Sequence, residues 1–220
     1  MDFLKPIFAP SHLIEQHERI DFVIRTAGTN SPAAVLFETK RQANKADMIS
    51  DSDCNRKAMH ELVLYYMRER VAGNTDIQKL VICTEYIFFI FAAKEFERAF
   101  FKNSQFKKDF ADWSARKKSD NTTDFFYTQI AKPFIATSEV ELEATTLDLR
   151  TFTTELENES VEKDMIQLFR VFSPQNLLKK DLENDSNSLN KTFYDELLHI
   201  IGLEERKEGV IPPFFKGLCK

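Results

Sequence analysis

Two short apolar runs separated by a polar break dominate the first part of the chain. Ile20-Asp21-Phe22-Val23-Ile24-Arg25 and Ala33-Ala34-Val35-Leu36-Phe37 are too short for helices and rich in β-branched and aromatic residues, which predicts two strands. Ala27-Gly28-Thr29-Asn30-Ser31-Pro32 carries turn chemistry, so the pair is expected as a hairpin. Upstream, Pro10-Ser11 reads as a helix start, with Ser11 capping a short helix through Glu18. Downstream, a polar connector from Gln42 to Asp53 leads into a strong helix. On it Met59, Leu62, Val63, Tyr66, Met67 and Arg70 recur at helical spacing, with Asp53 as the cap and Gly73 at the stop.

Lys79-Leu80-Val81-Ile82-Cys83-Thr84 is a continuous apolar run, read as a central strand buried on both faces. Ile87 to Phe91 is its neighbour across the tight turn Glu85-Tyr86, giving a sheet of at least four strands with the long helix packed across it. A helix follows from Ala93 to Phe101. Lys102 to Asn121 is basic and polar and reads as a surface loop. Asn121 or Thr122 then caps a helix from Thr123 to Ile135, which Lys132-Pro133 kinks or closes. Val140 to Phe152 alternates as a late edge strand. Helices are expected over Val161 to Phe172 and Lys191 to Ile201, around the polar stretch Glu183 to Asn190, with Gly202 as a cap. The fold class expected is α/β (α+β), a mixed sheet flanked by helices with a helical C-terminal connector. The domain limits read as 1–158, 159–208 for the connector, and 209–220 as a tail.

Three polar residues stand on or beside the hairpin. Side chains two apart on a strand share a face, so Glu38 and Lys40 project together from the end of the second strand, and the hairpin brings Asp21 alongside. Mg²⁺ takes oxygen ligands and is usually held by one or two carboxylates plus water and substrate phosphate. Asp21 and Glu38 offer the carboxylates, the backbone carbonyl of Thr39 offers a further oxygen, and Lys40 offers a compact cation for the water or the phosphate. As a bare triplet, Glu-x-Lys is more often a surface ion pair; the strand and turn context sharpens it. Asn55-Arg56-Lys57 opens the long helix, where backbone N–H groups favour anions, making Arg56 and Lys57 candidate phosphate contacts. Arg116-Lys117-Lys118 is the densest cationic spot in the basic stretch and a further candidate.

Asp followed by a strand ending in Glu-x-Lys resembles the PD-(D/E)XK nuclease core, with Ile20 in place of the proline. The likeness is wider than that motif. ERIDFVIR, VLFETKRQANKADMI, NRKAMHELVLYYMRER, KLVICTEYIFFIFAAKEFERAF, KKSDNTTDFFYTQIAKPFI and FYDELLHIIGLEE resemble, in order and up to about Glu208, the amino-terminal region of bifunctional type II restriction–modification enzymes. Those enzymes fuse an endonuclease to an adenine methyltransferase. The resemblance implies a restriction-endonuclease-like fold, with Asp21 and Glu38 as metal ligands and Lys40 as the catalytic lysine. In such cores a helical acid often joins the metal shell, which makes Glu15 a candidate extra ligand. Mg²⁺ is the implied cofactor, with Mn²⁺ as a substitute. Double-stranded DNA is the implied substrate, a methyltransferase or specificity domain or subunit the implied partner, and a homodimer the expected form for cutting both strands.

Composition narrows this picture. A net charge of -5 argues against tight, stand-alone DNA binding, which rests on basic patches, so gripping and sequence reading are expected from another domain or subunit. Phe is over-represented, at 21 residues against one Trp and five Tyr, and predicts a phenylalanine-filled core ahead of base-stacking platforms. The glycine-rich turn and Asn-Pro-Pro-aromatic segment of an adenine methyltransferase are absent; Pro212-Pro213-Phe214-Phe215 lacks the Asn, so no S-adenosylmethionine site is expected. The chain therefore reads as a nuclease domain alone. The alternative is a non-catalytic or truncated interaction module that docks onto a methyltransferase or specificity subunit. No signal pattern and no apolar run of membrane-spanning length is present. The three cysteines, Cys54, Cys83 and Cys219, lack C-x-x-C spacing, so a reducing cytoplasm is the expected location.

Overall fold

The computed structural model describes residues 8, 12–17, 20–26, 31–138, 140–150 and 171–178, and the backbone of 216–219. The chain divides into two compact units, Met1–Lys179 with Phe215–Lys220, and Lys180–Phe214; the second lies outside the described residues. So do residues 161–170 of the helix expected over Val161 to Phe172, the helix expected over Lys191 to Ile201 and the cap at Gly202; of the connector read as 159–208, residues 171–178 are described and hold a short helix over Pro174–Leu177.

The first unit is an α/β fold built on one mixed sheet. Its strands run in chain order: β1 (Leu13–His17), β2 (Ile20–Arg25), β3 (Ala33–Thr39), β4 (Lys79–Cys83), β5 (Ile87–Ala92), β6 (Leu142–Asp148) and β7 (Lys216–Cys219). Every neighbouring pair is antiparallel except β3 and β4, which are parallel. A parallel pair needs a crossover, and the long helix α1 (Lys57–Val71) supplies it. Gly73 takes φ +95 just past α1, the left-handed conformation that ends a helix and that glycine adopts without a Cβ clash.

The sheet is covered on both faces. Register carries Val23 across to Leu36, Leu36 to Leu80 and Leu80 to Phe91. These side chains form one core with Ala58, Met59, Leu62 and Tyr66 of α1. On the other face Phe22 stacks on Phe37 at 4.1 Å, and Phe88 meets Phe172 edge-on at 4.9 Å. Leu80, Val81 and Ile82 are fully buried, as expected of a strand packed on both sides. The phenylalanines are core residues: Phe96, Phe100, Phe106 and Phe126 are all at 0% exposure, and their rings form a chain of contacts 5.3–6.2 Å apart.

Several elements differ from the sequence reading. Residues 13–17 form strand β1 rather than a helix, because Leu13, Ile14 and Glu15 pair with Arg25, Ile24 and Val23; ladder pairing outweighs the cap signal at Ser11. The stretch read as a surface loop contains helix α3 (Ser104–Ser114), after α2 (Ala93–Phe96) and a π-helical turn over Glu97–Phe101. Its buried Phe106, Phe110 and Trp113 recur at helical spacing, and Asn103 caps it by accepting from the Phe106 N–H; the many charges obscured that stripe. The helix expected from Thr123 runs as α4 (Thr123–Phe125), a π-helical turn (Phe126–Ala131) and α5 (Lys132–Thr137). Thr122 caps it as expected, and the chain stays helical past Pro133. The N-cap of α1 is Arg56, whose side chain makes no capping bond, while Asp53 accepts from the Asn55 N–H. Strand β6 is not an edge, since β7, read as tail, pairs with it. Cys54 is disulfide-bonded, which the scattered cysteine spacing did not predict. No helix among the described residues is long and apolar enough to cross a membrane.

Candidate active site

The site forms where β2 begins and the parallel pair β3/β4 ends. Phe22 pairs with Phe37, so the next rung sets Asp21 against Glu38. Glu38 in turn lies beside Ile82 of β4. The Lys40 N–H donates to the Cys83 carbonyl at 2.8 Å, which continues the ladder past the strand end and keeps Lys40 on the face of Glu38. Asp21 is anchored through one oxygen: Oδ2 accepts from the Thr39 N–H at 2.6 Å and from Thr39 Oγ1 at 2.7 Å.

Lys40 Nζ donates to Glu38 Oε1 and also to Glu61 Oε2. Glu61 comes from the early part of α1, so the crossover helix brings the third acid to the hairpin. All three side chains are enclosed, at 12% exposure for Lys40, 3% for Glu38 and 14% for Glu61. Burial, then the Glu61 charge, pushes the Glu38 carboxyl up to about 8, with Lys40 pulling it back. Burial works against a charged Lys40, but Glu38 and Glu61 outweigh it and hold the ammonium's pKa above its ordinary value. Burial, then the Glu38 charge, also raises the Tyr65 hydroxyl, and burial with the Glu61 charge raises Tyr127. Both phenols thus sit in the field of the carboxylates as neutral groups.

Glu38 Oε2 is buried and has no hydrogen-bond partner among the described residues. Such an acceptor costs about 1–3 kcal/mol when left bare. A bare carboxylate oxygen beside a second, anchored carboxylate is the donor arrangement that suits a hard divalent cation. Among the described residues no group of three or more His, Cys, Asp or Glu side chains is gathered as a metal site. Asp21 and Glu38 alone supply two carboxylates, as many as Mg²⁺ usually takes from a protein.

The hairpin residues Asp21, Glu38, Thr39 and Lys40 thus come together as the sequence led us to expect. Glu15 does not join them. It stands on β1 and pairs with Arg25, Nε to Oε1 at 2.6 Å, while Arg25 Nη1 donates to the Ser31 carbonyl at 2.5 Å. The acid that a helix contributes is Glu61 instead. It was legible in principle: Glu61 stands three residues after Ala58 and four before Tyr65, on a buried face of α1. Arg56 is exposed and pairs with Asp53 at 2.7 Å, and Lys57 lies 4.0 Å from Glu61. Arg116 and Lys117 follow α3, with Arg116 at φ 58 and Lys117 3.9 Å from Asp112; no contact among the described residues links them to the carboxylates.

An enclosed carboxylate–lysine cluster thus stands at the end of a parallel strand pair on an α/β scaffold. The chain belongs to the family described as a domain of unknown function (DUF7149), which it matches over residues 1–185, and residues 186–212 match a second domain of unknown function (DUF7814). No curated protein and no solved structure matches it.

Proposed function

We propose that this chain is a Mg²⁺-dependent endonuclease domain that hydrolyses DNA phosphodiester bonds within a restriction–modification system, its sequence specificity supplied by other domains or a partner. The observation that carries this reading is Glu38: an enclosed carboxyl group with one oxygen unpartnered among the described residues, beside Asp21 and held by Lys40. A stable core has no use for that oxygen, whereas a cation site does. Asp21 and Glu38, with the Thr39 carbonyl, would hold the ion. When bound, the ion lowers the pKa of its water and offsets charge on the phosphate. Lys40 sits where its ammonium can turn from the carboxylates to the attacking water or a phosphate oxygen, and Glu61 sets its reach. Asp21 keeps its orientation through two donors from Thr39, so one carboxylate stays fixed.

The test is cleavage of duplex DNA with and without Mg²⁺ or Mn²⁺, together with calorimetric titration of the ion. Wild type should cut only with the ion, and Asp21→Ala, Glu38→Ala and Lys40→Ala should each lose cleavage while retaining wild-type circular dichroism. Equal cutting by all four proteins would abolish the assignment. One observation favours a second reading. Lys40 is already closed between two carboxylates, as a structural ion-pair network would be, and a non-catalytic module docking onto a methyltransferase or specificity subunit needs nothing more. That reading predicts no heat of ion binding at Asp21 and Glu38 and a stable complex with such a partner.

A further inference from the structure

A cleft of about 380 Å³ opens beside the site and is lined by four cations, Arg41, Lys45, Arg56 and Arg150, with Tyr86 and Thr84 among its other walls. Among the described residues no acidic side chain lines it, on a chain whose net charge is -5. Arg41 follows Lys40 directly, and Thr84 follows the Cys83 carbonyl that holds the Lys40 amide. The cleft therefore lies at the carboxyl ends of the parallel strands β3 and β4, the place where open α/β sheets accept ligands. Asp53 and Asp148 hold the guanidinium groups of Arg56 and Arg150, at 2.7 and 2.6 Å, so those two are positioned in advance. Arg41 and Lys45 are exposed and have no ion pair among the described residues. Tyr86 is one of two large hydrophobic side chains that the described residues leave exposed, at 39%, and the Thr84 hydroxyl fixes its backbone by accepting from Tyr86 N and Ile87 N.

We propose that this cleft receives one unpaired nucleotide of a nucleic-acid strand, its phosphate held by Arg41 and Lys45 and its base stacked on Tyr86. The inference deepens the nuclease reading and rests on it for the identity of the strand. Four cations, two of them without an ion pair among the described residues, suit an anionic ligand, and phosphate is the anion that a nucleic-acid strand presents. The volume suits a group the size of one nucleotide. An exposed aromatic beside cations is the combination that grips single strands without reading their sequence. Continuity with Lys40 places such a nucleotide next to the bond that water would attack beside an ion held by Asp21 and Glu38.

The experiment is fluorescence anisotropy in EDTA, where neither the ion nor cleavage contributes. It compares a labelled single-stranded oligonucleotide with a blunt duplex, and uses inorganic phosphate and a nucleoside monophosphate as competitors. The single strand should bind more tightly than the blunt duplex. Arg41→Ala/Lys45→Ala should lower the slope of log affinity against log salt by about 0.7, the value for one phosphate contact to a single strand. Tyr86→Ala should weaken the single strand about ten-fold and leave the salt slope unchanged. All three residues are exposed, so the variants keep the fold. If Arg41→Ala/Lys45→Ala and Tyr86→Ala bind like wild type, the cleft assignment fails even if cleavage occurs. If the monophosphate competes as well as the strand, the cleft is a small-nucleotide site and the proposal is overturned. Strand binding that survives in a protein without cleavage overturns the nuclease reading alone.

Discussion

Replacing Glu38 with Met should make the protein more stable. Glu38 is 3% exposed, its Oε2 has no partner among the described residues, and Lys40 has Glu61 as a second acceptor. Met has a similar length and no polar atoms. The substitution removes a bare buried acceptor worth about 1–3 kcal/mol and an acid whose charged form burial and Glu61 both disfavour. Against this, Lys40 loses one of its two charged partners, a loss of about 1.5 kcal/mol, while the buried methylenes and sulfur return part of it. The net expectation is a gain of about 1 kcal/mol, or roughly 2–4 °C in Tm for a chain of this size. Urea unfolding in EDTA gives the measurement: the midpoint should rise at constant m-value. A fall of more than about 1 kcal/mol would refute the reasoning, because the Glu38–Lys40 pair would then be holding the fold together. A gain in stability accompanied by loss of cleavage is the trade expected of a group kept for chemistry.

Three further outcomes follow from groups outside the cluster. Burial, then the charge of Lys132, holds His60 down to about 4, with Asp53 opposing. Its folded value lies below its unfolded one, so stability should fall by up to about 3 kcal/mol as pH drops from 6.5 toward 4, and His60→Gln should flatten that dependence in urea titrations. Glu97 accepts from Tyr66 Oη at 2.8 Å and from Arg70 Nε at 3.0 Å, so Glu97→Ala should cost about 3 kcal/mol, and a cycle with Arg70→Ala should be clearly non-additive. Phe106 is fully buried among Phe100, Phe126 and Phe134, so Phe106→Ala should lower the unfolding free energy by about 3–5 kcal/mol.

The hairpin and its cluster were legible because their signals are local. Apolar runs inside strands of six and seven residues (β2 and β3) and a turn-forming break define the hairpin, and a period of two puts Glu38 and Lys40 on one face. What escaped the sequence depends on partners distant along the chain. Residues 13–17 have the composition of a short capped helix and become a strand only because β2 offers a free edge. Lys216 to Cys219 form a strand only because β6 does. Glu61 looks like a solvated helix residue until α1 crosses the sheet and turns it toward Lys40. Trp113 and the two phenylalanines before it were masked by the lysines and aspartates between them, where helical spacing was the better guide than net polarity.

The single parallel pairing also separates in time what the sequence places close together. A β2/β3 hairpin closes locally, on the order of microseconds, and it already carries Asp21, Glu38 and Lys40. Glu61 and the Cys83 carbonyl arrive only when α1 crosses over and β4 docks, a contact between segments some forty residues apart and therefore a late one. A nascent or partly folded chain would hold both carboxylates and the lysine yet lack the groups that fix the lysine's direction. The competence to act on a phosphate proposed above would thereby be reserved for the completed sheet.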